Sequence, residues 1–219
     1  MAYIGKIPTA AALTASDITD GIISNAKLAQ DIISADTALG AEPADTDEFL
    51  VSDAGVLKRM DYSYIKGGGI TEADMWRITS SLSASSAVIT ANWERADAYG
   101  FDKLGTGMSE SSGIFTFPST GHWLVSFNGS YEGANIQYAG MMIMVTTDNS
   151  SYNQYAKQYT SLTDASDNIF VHLEALIDVT NTTNVKVKFE QQMAASSGSW
   201  GGSTNVQRTG ATFIKLADT

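Results

Sequence analysis

The residues that could do acid–base or nucleophilic chemistry are few in this sequence. His122 and His172 are its only histidines, and it contains no cysteine. A nucleophilic triad would need one of these histidines together with a serine and an acid, yet no G-x-S-x-G turn is present to expose a serine. We expect His172 to pack on a strand or at its rim and His122 to lie in a turn. The sequence therefore predicts no catalytic residue and no enzyme.

Paired carboxylates offer a second kind of chemistry, because glycoside hydrolysis uses two acids that flank a sugar. Glu94 with Asp97 and Asp164 with Asp167 lie close enough in sequence to be considered. Acids in such positions more often face solvent or cap turns, and we expect that here. A glycan-acting enzyme stays open as an alternative, which a pair of carboxylates in a cleft would support.

The oxygen-rich segments 147–150 and 163–168 raise the question of a metal. They contain Thr, Asp, Asn and Ser side chains, whose oxygens are the hard ligands that calcium prefers. No ordered ligand loop is recognisable in either segment. We therefore predict no metal site and no cofactor, and calcium is the only ion left open.

Aromatic side chains beside amides suit a different role, which is binding. Tyr152, Tyr155 and Tyr159 lie in SYNQYAKQY, and Trp200 stands among Gly and Ser residues in the segment 194–205. A flat apolar ring beside hydrogen-bonding groups can bind a glycan or a protein. We predict these four residues as a ligand-binding site. The alternative left open is that the tyrosines pack between subunits and that Trp200 folds back onto the domain.

The composition excludes several partners. The 219 residues are 43% hydrophobic and 17% charged, which is enough apolar material for at least one core. The formal net charge of -11 argues against a nucleic-acid partner, which would require clustered Lys and Arg. The opening MAYIGKIPTAAALTASD contains neither a sustained apolar signal core nor a membrane-length run, so we expect neither signal-directed secretion nor membrane insertion.

The glycine run at 67–69 marks a predicted boundary between two regions, 1–69 and 70–219. The four tryptophans all follow it: Trp76, Trp93, Trp123 and Trp200. Bulky core material is therefore concentrated in the second region. The first region is expected to be an extended segment with little core of its own.

The elements that must position these residues are strands, because apolar residues alternate with a period of two in the second region. Trp123, Val125 and Phe127 are predicted to share one face of a strand. The alternating run 169–179 is longer than most strands, so we expect a bend or bulge to interrupt it. Many short strands between Gly, Asn and Ser turns predict an all-β sandwich, completed by a C-terminal strand at 212–216.

The first region contains short apolar clusters. The segments SDITDGIIS (16–24) and AQDIISAD (29–36) share an Asp-Ile centre, and their isoleucines could be buried between copies about a threefold axis. A hairpin is predicted further on, with strands at 49–51 and 56–57 and a turn at 53–55. The opening AYIGK with its DITDG and KLA motifs resembles the N-terminal attachment segments of phage tail-fibre proteins.

The stretch FDKLGTGMSESSGIFTFPSTGHWLVSF (101–127) carries a second resemblance. The stretch begins with FDK and continues through a glycine-bearing loop. A G-x-F-x-x-P-x-x-G pattern and an aromatic strand follow, with the matching positions Gly113, Phe115, Pro118, Gly121, Trp123 and Phe127. This arrangement resembles the globular heads of the first complement component and of the tumour necrosis factor superfamily. The resemblance covers roughly 93–216 and implies a jelly-roll sandwich that works as a homotrimer and binds rather than catalyses. The collagen-like stalk of the complement proteins is missing.

Together the two resemblances imply a homotrimeric virion appendage of a tailed bacteriophage. Residues 1–69 would attach to a virion protein and trimerise, and residues 70–219 would form a jelly-roll head that recognises a host-surface glycan or protein. The expected location is the surface of the phage particle, after synthesis in the host cytoplasm. Three alternatives stay open: a capsid decoration or head-fibre protein without a receptor role, the glycan-acting enzyme, and a secreted bacterial adhesive or signalling module.

Overall fold

The computed structural model of the protein describes residues 14–17, 38–65, 68–83, 85–133, 135–194 and 197–219. The chain forms two compact units, Met1–Gly67 and Gly68–Thr219, and the boundary between them falls within the glycine run of the sequence. The AYIGK start and most of the two Asp-Ile segments lie outside the described residues, as does the KLA motif.

The described residues contain no α-helix. They form two short 3-10 helices, Ala15–Asp17 and Tyr62–Tyr64, and fifteen strands. The strands are β1 Glu48–Asp53, β2 Val56–Asp61, β3 Ala73–Ile78, β4 Leu82–Ser83, β5 Ala87–Val88, β6 Trp93–Arg95, β7 Ser109–Ser111, β8 Ile114–Thr116, β9 Gly121–Glu132, β10 Ile136–Thr146, β11 Asn153–Leu162, β12 Asn168–Val179, β13 Lys186–Met193, β14 Ser199–Trp200 and β15 Gly210–Ala217.

The first unit contains the predicted hairpin, which is confirmed. β1 and β2 pair antiparallel, and the turn residues Ala54 and Gly55 both have positive φ angles of 50° and 85°. Two positive φ angles are what a two-residue turn needs to follow the twist of the strands. Leu50, Val56 and Leu57 are all exposed, so the described part of this unit buries little apolar surface by itself. A lone two-stranded hairpin is marginally stable in water.

The second unit is a sandwich of two antiparallel sheets. The six-stranded sheet has the order β11-β10-β13-β8-β7, with β5 also paired to β13. The seven-stranded sheet has the order β4-β14-β9-β15-β3-β6, and β12 pairs with β9. Neighbours far apart in sequence, such as β15 between β9 and β3, give the crossing connections of a jelly roll. The predicted all-β sandwich is confirmed.

Two local predictions were wrong. The run 169–179 contains no bend, because β12 pairs residue for residue along the full length of β9, which is an equally long strand. His122 does not lie in a turn: it is the second residue of β9 and stands opposite Asp178. β12 lies at the edge of its sheet, because β9 is its only hydrogen-bonded strand neighbour among the described residues.

The core between the sheets is aromatic, and Phe115 is its centre. Its ring lies 4.9 Å from that of Trp93 and 5.2 Å from that of Phe213, measured between centroids. The rings of Trp76 and Phe189 lie 5.4 Å and 5.5 Å away. Because these residues come from both sheets, Phe115 joins the two layers through edge-to-face and tilted contacts that add to simple burial.

The glycines of the 101–127 stretch are required by its backbone. Gly113 has a φ of 81° in the tight turn between β7 and β8, and Gly121 has a φ of 136° where β9 begins. A Cβ at Gly113 would overlap the carbonyl of Ile89, so the side chain would clash as well as strain the turn. Both positions therefore fix the path of the chain into the aromatic core.

Candidate functional site

The predicted site residue Trp200 lies in the core. Its side chain is 0% exposed, and its ring meets that of Tyr131 edge-on at 5.4 Å. The flanking Gly and Ser residues suggested a surface loop, but Trp200 belongs to β14, which pairs with β9 and β4. Burial of so large a ring stabilises the sandwich more than exposure would. The prediction of Trp200 as a ligand-binding residue is therefore corrected: the ring folds back onto the domain, as in the alternative that the sequence left open.

Tyr152 is half-buried and lies directly before β11, which begins at Asn153. The ammonium of Lys188 lies 4.3 Å from the centre of its ring, which is a cation–π distance. Its hydroxyl is buried and has no hydrogen-bond partner among the described residues. Burial raises the pKa of this hydroxyl above its ordinary value. Tyr152 therefore offers little free surface to a ligand.

Tyr155 lies at the edge of the sandwich, where β11 passes β12. A register shift between Ile143 and Met144 of β10 separates Tyr155 from the regular pairing of β11. The Tyr155 hydroxyl donates a hydrogen bond of 2.7 Å to the carbonyl of Leu176 on β12. Nearby, Gln158 Oε1 accepts a 3.3 Å hydrogen bond from the backbone N–H of His172. Side chains of β11 thus occupy backbone groups of the edge strand.

A cleft of about 360 Å³ opens beside Tyr155. Apolar side chains dominate its lining, which includes Val145, Tyr155, Leu176, Ile177 and Val185. Leu176 also lies on the outward face of the seven-stranded sheet, because its chain neighbours Ala175 and Ile177 point into the core. The cleft is therefore continuous with that face.

Tyr159 lies on the outward face of the six-stranded sheet. It stands opposite Gly140 on β10, and a Cβ added at Gly140 would overlap the Tyr159 ring, so the ring rests directly on the backbone. The Tyr159 hydroxyl forms a short hydrogen bond with Gln192 Oε1 on β13. The ring of Tyr138 meets it edge-on at 5.3 Å, and the Lys157 ammonium lies 5.7 Å from its centre. We call Tyr138 and Tyr159 the tyrosine platform.

The structure therefore separates the four predicted site residues into different places. Tyr159 is on one face, Tyr155 is on an edge, Tyr152 is half-buried, and Trp200 is internal. Sequence reasoning missed Tyr138, which completes the platform. The available signal was Gly140, since a glycine inside a strand pattern often marks close approach of another group.

A row of apolar side chains crosses the outward face of the seven-stranded sheet. Leu176, Leu124, Ile214 and Ala73 stand directly opposite one another on four adjacent strands, β12, β9, β15 and β3. We call these four residues the apolar row. Leu176 is 54% exposed, and Phe170 on the same face of β12 is 71% exposed. Leu124, Ile214 and Ala73 are half-buried, so the row is a continuous line of apolar side chains that is most exposed at its β12 end.

Polar groups flank the row. His172 Nε2 lies 3.4 Å from Glu174 Oε1 on the exposed face of β12. On β3, near the other edge of the same sheet, Arg77 is 3% exposed. It binds the carboxylates of Glu94, at 2.9 Å, and of Asp97. Burial lowers the pKa of Arg77 and the hydrogen bonds to both acids raise it, with a net rise. These two acids hold Arg77 in place, which differs from the open pair that glycoside hydrolysis needs.

The loop carboxylates considered for calcium are engaged in their own turns. Asp148 accepts hydrogen bonds from the N–H of Ser151 at 2.7 Å and of Ser150 at 2.9 Å, and these bonds help to lower its pKa. Asp164 is held in the same way by Ser166, which lowers its pKa too. Within the described residues, no group of three or more His, Asp or Glu side chains is placed to hold a metal ion. Those residues also include no helix long and apolar enough to cross a membrane.

Comparison with known proteins supports the fold. No protein-family model and no curated protein matches this chain. The crystal structure of murine APRIL at pH 5.0 is 11% identical, covers 66% of this chain and 98% of its own, and superposes with a TM-score of 0.50. The structure of Eiger TNF from S. frugiperda is 14% identical, covers 69% of this chain and 96% of its own, and gives a TM-score of 0.51.

At these identities the likeness shows the fold alone. The predicted jelly-roll sandwich of the tumour necrosis factor type is therefore confirmed. The homotrimer, the virion role and the partners stay predictions.

Proposed function

We propose that this protein is a homotrimeric virion appendage of a tailed bacteriophage, whose jelly-roll head binds a host-surface component. The observation that carries the proposal is the apolar row together with the exposed Phe170 on the same sheet. A monomer would leave the exposed part of this strip in contact with water. Burying apolar surface between copies stabilises the assembly by about 25 cal/mol per Å². The strip thus favours assembly of several copies.

A cyclic arrangement fits the placement of the strip. It runs from the edge strand β12 across β9 and β15 to β3, so its two ends are different surfaces. If the edge at β12 of one copy packs against the β15 and β3 side of the next, the contact is head-to-tail, and three copies form a ring when the rotation between neighbours is a third of a turn. His172 with Glu174, and Arg77 with its two acids, would then form a polar rim around the apolar centre.

The attachment role rests on the first unit. Its opening resembles phage tail-fibre attachment segments, and its hairpin exposes Leu50, Val56 and Leu57. Exposed apolar side chains on a marginally stable hairpin favour burial against a partner. We propose that this partner is a virion protein, another copy of the hairpin, or both.

Binding is favoured over catalysis by the state of the candidate acids and histidines. Glu94 and Asp97 neutralise a buried Arg77, and Asp164 caps a turn. His122 lies within β9, and His172 lies on an exposed strand beside Glu174. The three acids and His172 each have a polar partner, which supports a protein that recognises its target without changing it.

The assembly is tested by the solution mass of the full chain. Light scattering at several concentrations should give three times the chain mass of 23.3 kDa. A mass that stays at 23.3 kDa at every concentration would contradict the homotrimer.

The location is tested on phage particles. Mass spectrometry of purified particles from the phage that encodes the chain should detect the protein, and immunogold labelling should place it on the tail or the capsid. Labelling of the capsid together with no binding of the protein to host cells would favour the decoration role. Absence of the protein from the particles would overturn the proposal.

A further inference from the structure

The tyrosine platform differs from the apolar row, because a hydrogen bond holds the Tyr159 ring in place and the Tyr138 ring packs against it edge-on. Tyr159 rests on Gly140, and its hydroxyl is bound by Gln192. The ring therefore spans three strands, β11, β10 and β13, and keeps one orientation. Tyr138 is 40% exposed and Tyr159 is 41% exposed, so each presents part of its ring to solvent while the rest is packed. A ring fixed in this way loses little conformational freedom when a ligand binds.

A shallow surface depression of about 460 Å³ lies next to the platform along β10 and β11, and we call it the polar cleft after the four amide and hydroxyl side chains among its lining residues. Six residues line it: Asn135, Ile136, Gln137, Ser161, Leu162 and Thr163. Amide and hydroxyl groups therefore predominate among its side chains, and they can both donate and accept hydrogen bonds.

The cleft and the platform are parts of one surface. The pairing of β10 with β11 shifts register between Ile136 and Ala139, which lets Gln137 and Tyr138 share the space opposite Ser161. Ser161 follows Tyr159 by two residues on β11, so the two side chains point to the same face. A ligand that lies along β11 would thus meet an aromatic ring first and hydrogen-bonding groups next.

This combination selects the chemistry of the ligand. Sugars have apolar C–H faces that lie on aromatic rings, and hydroxyls that need amide and hydroxyl partners at the ring edge. A nucleic acid or another polyanion is disfavoured by the net charge of -11. Lys157, the nearest cation to the platform, is a single ammonium over the Tyr159 ring.

We propose that the tyrosine platform and the polar cleft together bind a neutral oligosaccharide. Tyr138 and Tyr159 supply the stacking surface, and Gln137, Ser161 and Gln192 supply hydrogen bonds. The inference rests on the recognition role in the proposed function and names the ligand class for it. The site lies on the opposite sheet from the apolar row, so assembly through that row leaves it open, and three copies would bind one host surface with avidity.

The test uses the full chain on a printed array of neutral hexose and N-acetylhexosamine oligosaccharides. The unchanged protein should bind a subset of them. Tyr138→Ala and Tyr159→Ala should each weaken that binding about tenfold or more, because each removes a stacking ring. The matched control is Tyr99→Ala, which removes an equally large ring that is 88% exposed in a loop and should leave binding unchanged.

Light scattering and thermal unfolding of the same variants separate the outcomes. Lost binding with unchanged mass and unfolding temperature supports the site. Full binding by both tyrosine variants overturns it, as does a trimeric, virion-bound protein that binds no neutral oligosaccharide or binds only a host protein. Tyrosine-dependent glycan binding by a chain that stays monomeric would support the site and overturn the trimeric part of the proposed function.

Discussion

The two outward faces of the sandwich expose apolar surface in different ways. On the seven-stranded sheet, the apolar row is aliphatic and crosses four strands, with its charged neighbours at the margin. On the six-stranded sheet, Tyr159 is hydrogen-bonded to Gln192, Tyr138 packs against it, and both lie beside a shallow depression lined mainly by amide and hydroxyl side chains. The first arrangement suits permanent burial against a copy of itself. The second suits reversible binding of a ligand that carries its own hydroxyls, so the proposed assembly and the proposed recognition use opposite sheets.

Phe115→Ala should produce the largest effect, because it leaves a cavity in the aromatic core that joins the two sheets. It removes a fully buried ring that contacts aromatic residues of both sheets. The free energy of unfolding should fall by about 3–5 kcal/mol, and assembly and glycan binding should be lost together. Chemical denaturation measures the first effect. An unchanged denaturation midpoint would show that Phe115 is not the centre of the core.

Leu176→Glu should break one face and spare the other. Three copies would each place a carboxylate in the proposed interface, which costs at least about 2 kcal/mol per contact. We expect monomers by light scattering, with the unfolding of the monomer little changed because Leu176 is 54% exposed. Val206→Glu is the matched control, since Val206 is 57% exposed in the loop before β15. If both variants are trimers, the apolar row does not lie in the interface between copies.

Gly140→Ala should spare the apolar row and damage the platform. The added Cβ would overlap the Tyr159 ring and also approach the Gln158 carbonyl to 2.5 Å. We expect a loss of about 1–3 kcal/mol in stability from this crowding, a displaced Tyr159 ring, and weaker glycan binding with unchanged solution mass. Gly68→Ala, where a Cβ meets open space, is the control. Unaltered binding by Gly140→Ala would mean that the position of the Tyr159 ring does not matter.

Asp148→Asn should have the smallest effect, because Asp148 lies in a solvent-exposed turn outside both faces. Hydrogen bonds from the Ser151 N–H and the Thr146 hydroxyl hold its folded pKa below the ordinary value of 3.8. Its contribution to stability is therefore present above that value and is lost as the pH falls through the lowered pKa. Unfolding measured between pH about 2 and about 5 should show a slightly flatter acid limb in the variant. An acid limb of unchanged slope in the variant would show that these hydrogen bonds to Asp148 do not contribute to stability.

Much of the fold could be predicted from the sequence, because its determinants are local. Gly113 and Gly121 fix backbone angles that few other residues adopt, and Phe115 stands between them at a fixed spacing. The alternation in β9 predicted that Trp123 and Phe127 share one face of a strand, and both are buried on that face. Such features act through neighbours in the chain, which a sequence displays directly.

The candidate surfaces could be predicted only in part, because they depend on pairing between distant strands. The apolar row joins residues as far apart as Ala73 and Ile214, and its members look unremarkable singly. The sequence left open whether Trp200 is exposed or folds back onto the domain, because its Gly and Ser neighbours hide a two-residue strand. Tyr138 was missed because only the register shift in β10 brings it beside Tyr159.

The hydrogen bonds between side chains of β11 and the backbone of the edge strand β12 have a further consequence. An open edge offers its N–H and carbonyl groups to any other strand, and a particle that carries many copies would bring such edges close together. The Tyr155 hydroxyl and the Gln158 amide already occupy two of those groups on β12. Crowded copies are thereby discouraged from joining edge to edge into a growing sheet, and contact through side chains stays the favoured route.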